Sequence, residues 1–214
     1  MTPAPDRPIV VLGGGGHAKV VIAVLKRSDR RILGYTDQQD RGEILSGPYL
    51  GTDAALAGVL RSHRGCSAVV AVGKIDASPR RLALQAEAGA LGFEFPAIVS
   101  PHAIVNEAVQ LGPGTVVLDG VVVNSGTETG GACILNTGST VDHDCRLGDN
   151  VHIAPGVTLS GGVTIGDHCL IGAGTTVIQG VTICAGTLVG AGATVVKDLT
   201  APGTYAGVPA RRLH

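Results

Sequence analysis

The sequence predicts a β-solenoid over residues 98–214, preceded by a small α/β unit over residues 1–97. Three observations carry this. An aliphatic residue recurs every six positions through the second half, glycines are spaced at multiples of that period, and apolar runs alternate with helical stretches in the first half.

Stepping by six from Val99 gives Val105, Leu111, Val117, Val123, Thr129, Leu135, Val141, Leu147, Ile153, Leu159, Ile165, Ile171, Val177, Ile183, Val189 and Val195. Thr129 is the one non-aliphatic residue among these seventeen positions, and no helical or heptad pattern has a strict period of six. Four residues after each aliphatic comes a small or β-branched residue, among them Thr115, Cys133, Cys145, Val157 and Cys169. The cysteines therefore read as small core residues. Gly112, Gly130, Gly148 and Gly166 are eighteen residues apart, as are Gly172 and Gly190, so three hexads make one coil of three short strands. Glycine then marks corners that need unusual dihedrals or close approach. Each coil buries its aliphatics only by stacking on its neighbours.

In the first half, Pro8–Leu12 reads as a buried strand, Gly13–Gly16 as a turn and His17–Leu25 as a helix. A second strand, Arg31–Thr36, ends at Asp37. A helix near Asp53–His63 leads to the strand Cys66–Val72, followed by Gly73. Pro79–Gly89 reads as a helix and Phe93–Ile98 as a last short strand. This alternation predicts a small parallel sheet of Rossmann-like build. Gly13, Gly15 and Ala18 fit the G-x-G-x-x-A dinucleotide fingerprint, with Asp37 nineteen residues beyond Ala18. Only about 95 residues precede the solenoid, however, too few for two mononucleotide halves. A glycine turn opening a helix suits phosphates of many kinds, because its first N–H groups point outward. A phosphate-bearing ligand, with NAD as one form of it, and a turn without a ligand are the alternatives for these residues.

Composition narrows the function. The 214 residues are 44% hydrophobic and 15% charged, with no Trp, 2 Phe and 3 Tyr, so the core is aliphatic. A net charge of −1 without a long basic run gives nucleic-acid binding no electrostatic support. No apolar stretch approaches the roughly 20 residues of a membrane span, and the N-terminus has no signal-peptide pattern. A soluble cytoplasmic protein is expected. Five cysteines without C-x-x-C spacing argue against a disulfide framework and a zinc site, and no metal is expected.

Among seven histidines, His143 stands out. It follows the core residue Val141 by two positions, which places it near a corner with its side chain outward, and Asp142 and Asp144 flank it. A neutral imidazole accepts a proton near pH 7, and an adjacent carboxylate orients it and raises its basicity. A solvated corner is the competing reading. His63, His102, His168 and His214 read as exposed or locally satisfied.

Five motifs span nearly the whole chain: Gly-Gly-Gly-Gly-His17, Ala-Val-Gly73, Leu-Asn136-Thr-Gly-Ser, Val-Asp-His143-Asp-Cys and the closing Ala206-Gly-Val-Pro-Ala-Arg211. On these motifs the sequence resembles the hexapeptide-repeat acyltransferases of the sialic-acid O-acetyltransferase type. That branch includes the N-acetyltransferases of bacillosamine and perosamine biosynthesis. The resemblance implies a left-handed parallel β-helix and a homotrimer with acyl-CoA between neighbouring solenoids. It implies acetyl-CoA-dependent N-acetylation of a UDP- or GDP-linked 4-amino-4,6-dideoxy sugar for glycan or O-antigen synthesis. It places the base on His143 and the acid that tunes it on Asp144. Its acetyl-CoA contacts fall on His152, Ala173 and Ala191, and its nucleotide-sugar contacts on Gly15, Gly16, His17, Asp37, Gln38 and Gly73. Gln38 departs from the bacillosamine-type pattern, where a second Asp follows the first. His152 also has a structural reading. Lys197, Arg211 and Arg212 are candidates for the CoA phosphates or form a solvated basic end.

Three rival functions fit the same residues. A sugar or sialic acid O-acetyltransferase would use the same base and CoA site, and product analysis separates it. A non-catalytic solenoid would gain no thermal stability from acetyl-CoA. An NAD-binding protein would alter NADH fluorescence.

Overall fold

The computed structural model describes residues 7–213, so His214 lies outside the described residues. The chain runs through β1 (Ile9–Leu12), α1 (Gly16–Arg27), β2 (Ile32–Thr36), β3 (Tyr49–Gly51), α2 (Leu56–Ser62), β4 (Ser67–Val70) and α3 (Arg80–Ala90). The four strands form a parallel sheet in the order β3-β2-β1-β4. β1 and β4 are buried along their whole length. One face of the sheet packs with Ala18, Val21, Ile22 and Leu25 of α1, the other with Leu56, Ala88 and Phe93. Cover on both faces explains why these strands read as continuous apolar runs. The α1 residues follow i, i+3, i+4, i+7 spacing, which is one helix face. The same cluster takes in Ile98, Val116 and Leu118, so the sheet, α1 and the first coils share one core. Arg27 Nη2 adds an ion pair of 2.6 Å to Asp119 Oδ2.

The structure departs from the sequence reading at three elements. β3 was not foreseen; it is three residues long and follows Pro48. The helix expected over 53–63 opens with a 3₁₀ turn, Asp53–Ala55, before α2. The strand expected over Phe93–Ile98 does not form: the Glu94 carbonyl accepts one hydrogen bond from Ala68 N at 2.9 Å, and the first solenoid strand is Ile98–Val99. Pro96 has no N–H to continue the ladder.

Beyond that point two-residue strands stack into three sheets of eight, six and four strands. Within the repeat each pairs in parallel with the strand eighteen residues later, as Ile134 with His152, Thr140 with Thr158 and Arg146 with Thr164, and the eight-stranded sheet closes on Thr204–Ala206, paired antiparallel with Arg211–Arg212. Both expected inward columns are buried from Thr115 to Val195. Val99 is exposed instead, and Val105 and Leu111 are half-buried, because the end of a stack has no coil beneath it.

The inward Thr and Cys side chains share one task. Thr115, Thr127, Cys133, Cys145, Cys169 and Thr175 each donate to the backbone carbonyl fifteen residues on, at 2.7 to 3.4 Å. They fill small core volume and bridge consecutive coils. Burial pushes the Cys133 thiol up to about 12 and Cys169 to about 11, so these are inert protonated thiols.

Corners in left-handed conformation recur every six residues from Gly114 to Gly192, and Asp144 (φ 58), Asn150 (φ 54) and His168 (φ 62) occupy three of them. The eighteen-spaced glycines form a different column. A Cβ on Gly172 would lie 2.6 Å from Ala191 N, so this column serves close approach.

Candidate active site

The glycine turn leads from β1 into α1 beside the C-terminal ends of β2 and β4. It borders a cavity of about 420 Å³ whose lining includes Gly15, Gly16, His17, Asp37, Gln38 and Gly73, the six residues expected to contact a nucleotide sugar. Gly13 has φ +114, and a Cβ on Gly14 would stand 2.5 Å from the Tyr35 ring, so both are required by the turn itself. Gly15 and Gly16 face open space, where a Cβ would meet nothing within 4 Å.

Asp37 has a task that the sequence reading did not foresee. Its Oδ2 accepts from Gly14 N at 2.8 Å and its Oδ1 from Gln39 N at 3.0 Å. Arg41 Nε is 3.6 Å away. Burial raises its pKa, but the Gln39 and Gly14 N–H groups and Arg41 outweigh that and hold it below the usual carboxylate range. Asp37 thus braces the turn as well as lining the cavity.

Behind the cavity the segment after β4 and the start of α3 clamp onto the solenoid. Buried Arg81 donates to the carbonyls of Val70, Val72 and Ala132. Lys74, also buried, donates to Asp76 O at 2.6 Å. Asn150 Nδ2 donates to Ser78 O at 2.9 Å. His152 Nδ1 donates to Lys74 O at 2.8 Å, and its Nε2 accepts from Asn136 Nδ2 at 3.1 Å. Burial, with Arg81 and Lys74 also opposing a proton, lowers His152 to about 4. His17 falls to about 3 through burial, then Arg81 and His152, and among the described residues its buried Nε2 has no partner. Both imidazoles are neutral. Arg81 was missed by the sequence reading, since an arginine on a helix looks like part of a solvated face.

His143 occupies an exposed corner of the solenoid. Its Nδ1 donates to Asp144 Oδ2 at 2.8 Å, which leaves the Nε2 lone pair free on a largely exposed side chain. Nε2 has no hydrogen-bond partner among the described residues. Asp144 comes alongside the ring because its backbone is left-handed, a conformation that Asp tolerates better than most residues. Glycines wall the corner above and below. A Cβ on Gly161 would lie 2.6 Å from Cε1 and Nε2 of His143, and one on Gly126 would lie 2.5 Å from Asp144 Oδ1. Asp142 Oδ1 accepts the His143 backbone N–H at 2.8 Å. The hydrogen bond to Asp144, then the charge of Asp142, raises the His143 pKa above its ordinary value. The doubled glycine at 161–162 was a legible signal that the sequence reading left unused.

Ala173 and Ala191 are exposed at equivalent corners of consecutive coils, tied by Gly192 N donating to Ala173 O at 2.8 Å. His152 instead points at the N-terminal unit. Arg212 Nη2 donates to Pro202 O at 2.9 Å. Among the described residues no group of three or more His, Cys, Asp or Glu is placed to hold a metal ion, and no helix is long and apolar enough to cross a membrane.

Residues 8–82 match the family described as PglD N-terminal domain, and residues 162–197 match the bacterial transferase hexapeptide (six repeats). A histidine mutant of perosamine N-acetyltransferase from Caulobacter crescentus, solved with CoA and GDP-perosamine, is 40% identical over 97% of both chains, with a TM-score of 0.91. The chain belongs to the PglD-type hexapeptide acetyltransferases. In keeping with this family its solenoid is a left-handed parallel β-helix. The acetyltransferase domain of PglB from Neisseria gonorrhoeae is 36% identical, covering 97% of this chain and 100% of that one, with a TM-score of 0.90. WeeI from Acinetobacter baumannii is 26% identical over the same shares, with a TM-score of 0.86. No curated protein sequence matches the chain.

Proposed function

We propose that this PglD-type enzyme is an acetyl-CoA-dependent N-acetyltransferase of a nucleotide-linked amino sugar. The observation that carries this reading is the exposed His143 with its Nε2 free and its Nδ1 backed by Asp144 at 2.8 Å, in a chain that also holds the glycine cavity. The likeness to a perosamine N-acetyltransferase that binds CoA and GDP-perosamine supports it over the O-acetyl, scaffold and NAD readings. A GDP- or UDP-linked 4-amino-4,6-dideoxy sugar is the substrate class.

Labour divides between two proposed domains. Residues 1–97 hold the nucleotide sugar, with the N–H groups at Gly15 and Gly16 facing the diphosphate, Asp37 fixing the turn, and His17, Gln38 and Gly73 lining the cavity. Residues 98–214 supply the base and the acetyl-CoA surface at Ala173 and Ala191. His152 belongs to that surface with its ring fixed by Lys74 and Asn136, so a hydrogen bond from it to acetyl-CoA requires one of them to let go. As the sugar amine attacks the thioester carbonyl, the N–C bond forms and His143 Nε2 takes the amine proton. The C–S bond then breaks, and the imidazolium returns that proton to the thiolate of CoA. Asp144 keeps Nδ1 protonated, so Nε2 is the accepting atom throughout. A cytoplasmic homotrimer completes the proposal, as the family resemblance implies.

The test is calorimetry with each ligand on Gly15→Val and Ala173→Trp. Gly15 has open space around it, so a side chain there fills the cavity without disturbing the fold. Gly15→Val is expected to abolish nucleotide-sugar binding and spare acetyl-CoA, and Ala173→Trp to do the reverse. Loss of acetyl-CoA binding in Gly15→Val alone would overturn the assignment.

A further inference from the structure

We propose that Asn124, with Asn106 behind it, is a positioning residue for the His143 base. This rests on the reading of His143 as the proton acceptor.

Residues 106, 124 and 142 occupy one column of the solenoid, just outside the ends of three stacked strands. Asn106 Nδ2 donates to Asn124 Oδ1 at 2.8 Å. Asn124 Nδ2 donates to Asp142 Oδ1 at 2.8 Å. The same Asp142 oxygen accepts the backbone N–H of His143 at 2.8 Å. The ladder therefore ends on the peptide that carries the base.

Its direction is set from the charged end. The Asn124 amide, then the His143 N–H, holds Asp142 below the usual carboxylate range, so this carboxylate is ionised and only accepts. Asn124 must therefore present its NH₂ to Asp142, which turns its carbonyl toward Asn106. Asn106 can satisfy that carbonyl only with its own NH₂. Both amides are thereby locked, and the Asp142 carboxylate is held against the His143 peptide, while Asp144 sets the tautomer of the ring.

A purely structural ladder would have no reason to stop here. The column continues upward as Ser160, Ile178 and Val196, with no further amide. The amides lie below the base; above it the column passes through Ser160 to the apolar Ile178 and Val196. The charged groups facing the imidazole are Asp142 and Asp144; Arg146, next along the chain, is paired with Glu128 at 2.5 Å.

Three variants test this, with His143→Ala as the reference. Asn124→Leu removes the donor at similar volume. Asp142 is then free to move off, the imidazole loses part of its electrostatic support, and its pKa falls. Asn124→Asp places a second carboxylate beside Asp142 and raises it. In both variants kcat is expected to drop roughly tenfold or more, the order of effect of a misplaced reacting group, with KM for acetyl-CoA and the nucleotide sugar nearly unchanged. The acid limb of the kcat/KM profile is expected to move to lower pH in Asn124→Leu and to higher pH in Asn124→Asp. Asn106→Leu should shift the limb in the same direction as Asn124→Leu, by less. A structural role predicts lower melting temperatures without opposed shifts. If Asn124→Leu does not fold, the Asn124→Asp shift decides alone. Wild-type kcat and an unmoved limb in the Asn124 variants, beside an inactive His143→Ala, would overturn the ladder and leave the base intact. Full activity of His143→Ala would overturn the base itself.

Discussion

At the scale of single residues, His143 is defined by what touches it. Asp144 fixes its tautomer, and the missing Cβ of Gly161 leaves the space its ring occupies. Gly161 has no left-handed backbone requirement, so Gly161→Ala should fold normally and push the exposed ring aside. A displacement on the ångström scale is worth up to about 100-fold in rate. The expected outcome is a kcat lowered roughly 10- to 100-fold, with a melting temperature within about a degree of wild type by calorimetry. The pH dependence has a definite sign. The proposed base acts when neutral, so activity should fall as pH drops through its raised pKa, and the acid limb of kcat/KM should lie above the ordinary histidine value of about 6.5. Asp144→Asn removes the largest contribution and should move that limb to lower pH; a limb that stays in place would refute the coupling. The contact of His143 with a flanking carboxylate was readable from Asp-His-Asp at a corner. Its geometry was not, because a left-handed Asp144 and a ring seated over the next coil depend on stacking eighteen residues away.

At the scale of elements, the period of six made the solenoid legible almost residue by residue, since every repeat answers the same packing demand. The α/β unit was legible where strands are buried on both faces and blurred where they are not. Edge strand β3 and the segment around Pro96 make few pairings, so their sequence carries little signal. The clamp between the unit and the solenoid was invisible in sequence, because Arg81, Lys74, Asn150 and His152 meet only in the fold. This clamp has a pH signature. His17 and His152 have folded pKa values of about 3 and about 4 against 6.5 unfolded, so the unfolded state binds more protons as pH falls. Their contribution is fully present above about pH 6.5 and is lost on descending toward those folded values, a total on the order of a few kcal/mol. Melting temperature should therefore decline between pH 6.5 and 4.5, and a His17→Asn, His152→Gln double variant should flatten that slope. An unchanged slope would refute neutral burial of the two rings. Cys145→Ser, by contrast, keeps the donor to Ser160 O and should leave turnover intact. Loss of turnover in a stable Cys145→Ser protein would require a covalent mechanism.

At the scale of the whole molecule, the glycine cavity and the His143 corner lie on different parts of the fold, with no hydrogen bond or ion pair joining them among the described residues. Assembly into the proposed trimer offers the exposed His143 and Ala173 corners a neighbouring chain. Sedimentation equilibrium should give about three times the 21.4 kDa chain mass, and a monomer would refute it. The most direct test of acetyl transfer from CoA to a nucleotide-linked amine, with His143 as the base, is free-thiol release from acetyl-CoA. It would be measured against GDP-, UDP- and dTDP-linked amino sugars for wild type and His143→Ala in parallel, with the product's acetyl position read by mass spectrometry. The expected result is turnover with a 4-amino sugar nucleotide, acetylation on nitrogen, and a kcat lowered about 10²- to 10⁴-fold in His143→Ala with acetyl-CoA affinity retained. Acetylation on oxygen, or wild-type turnover in His143→Ala, would contradict it.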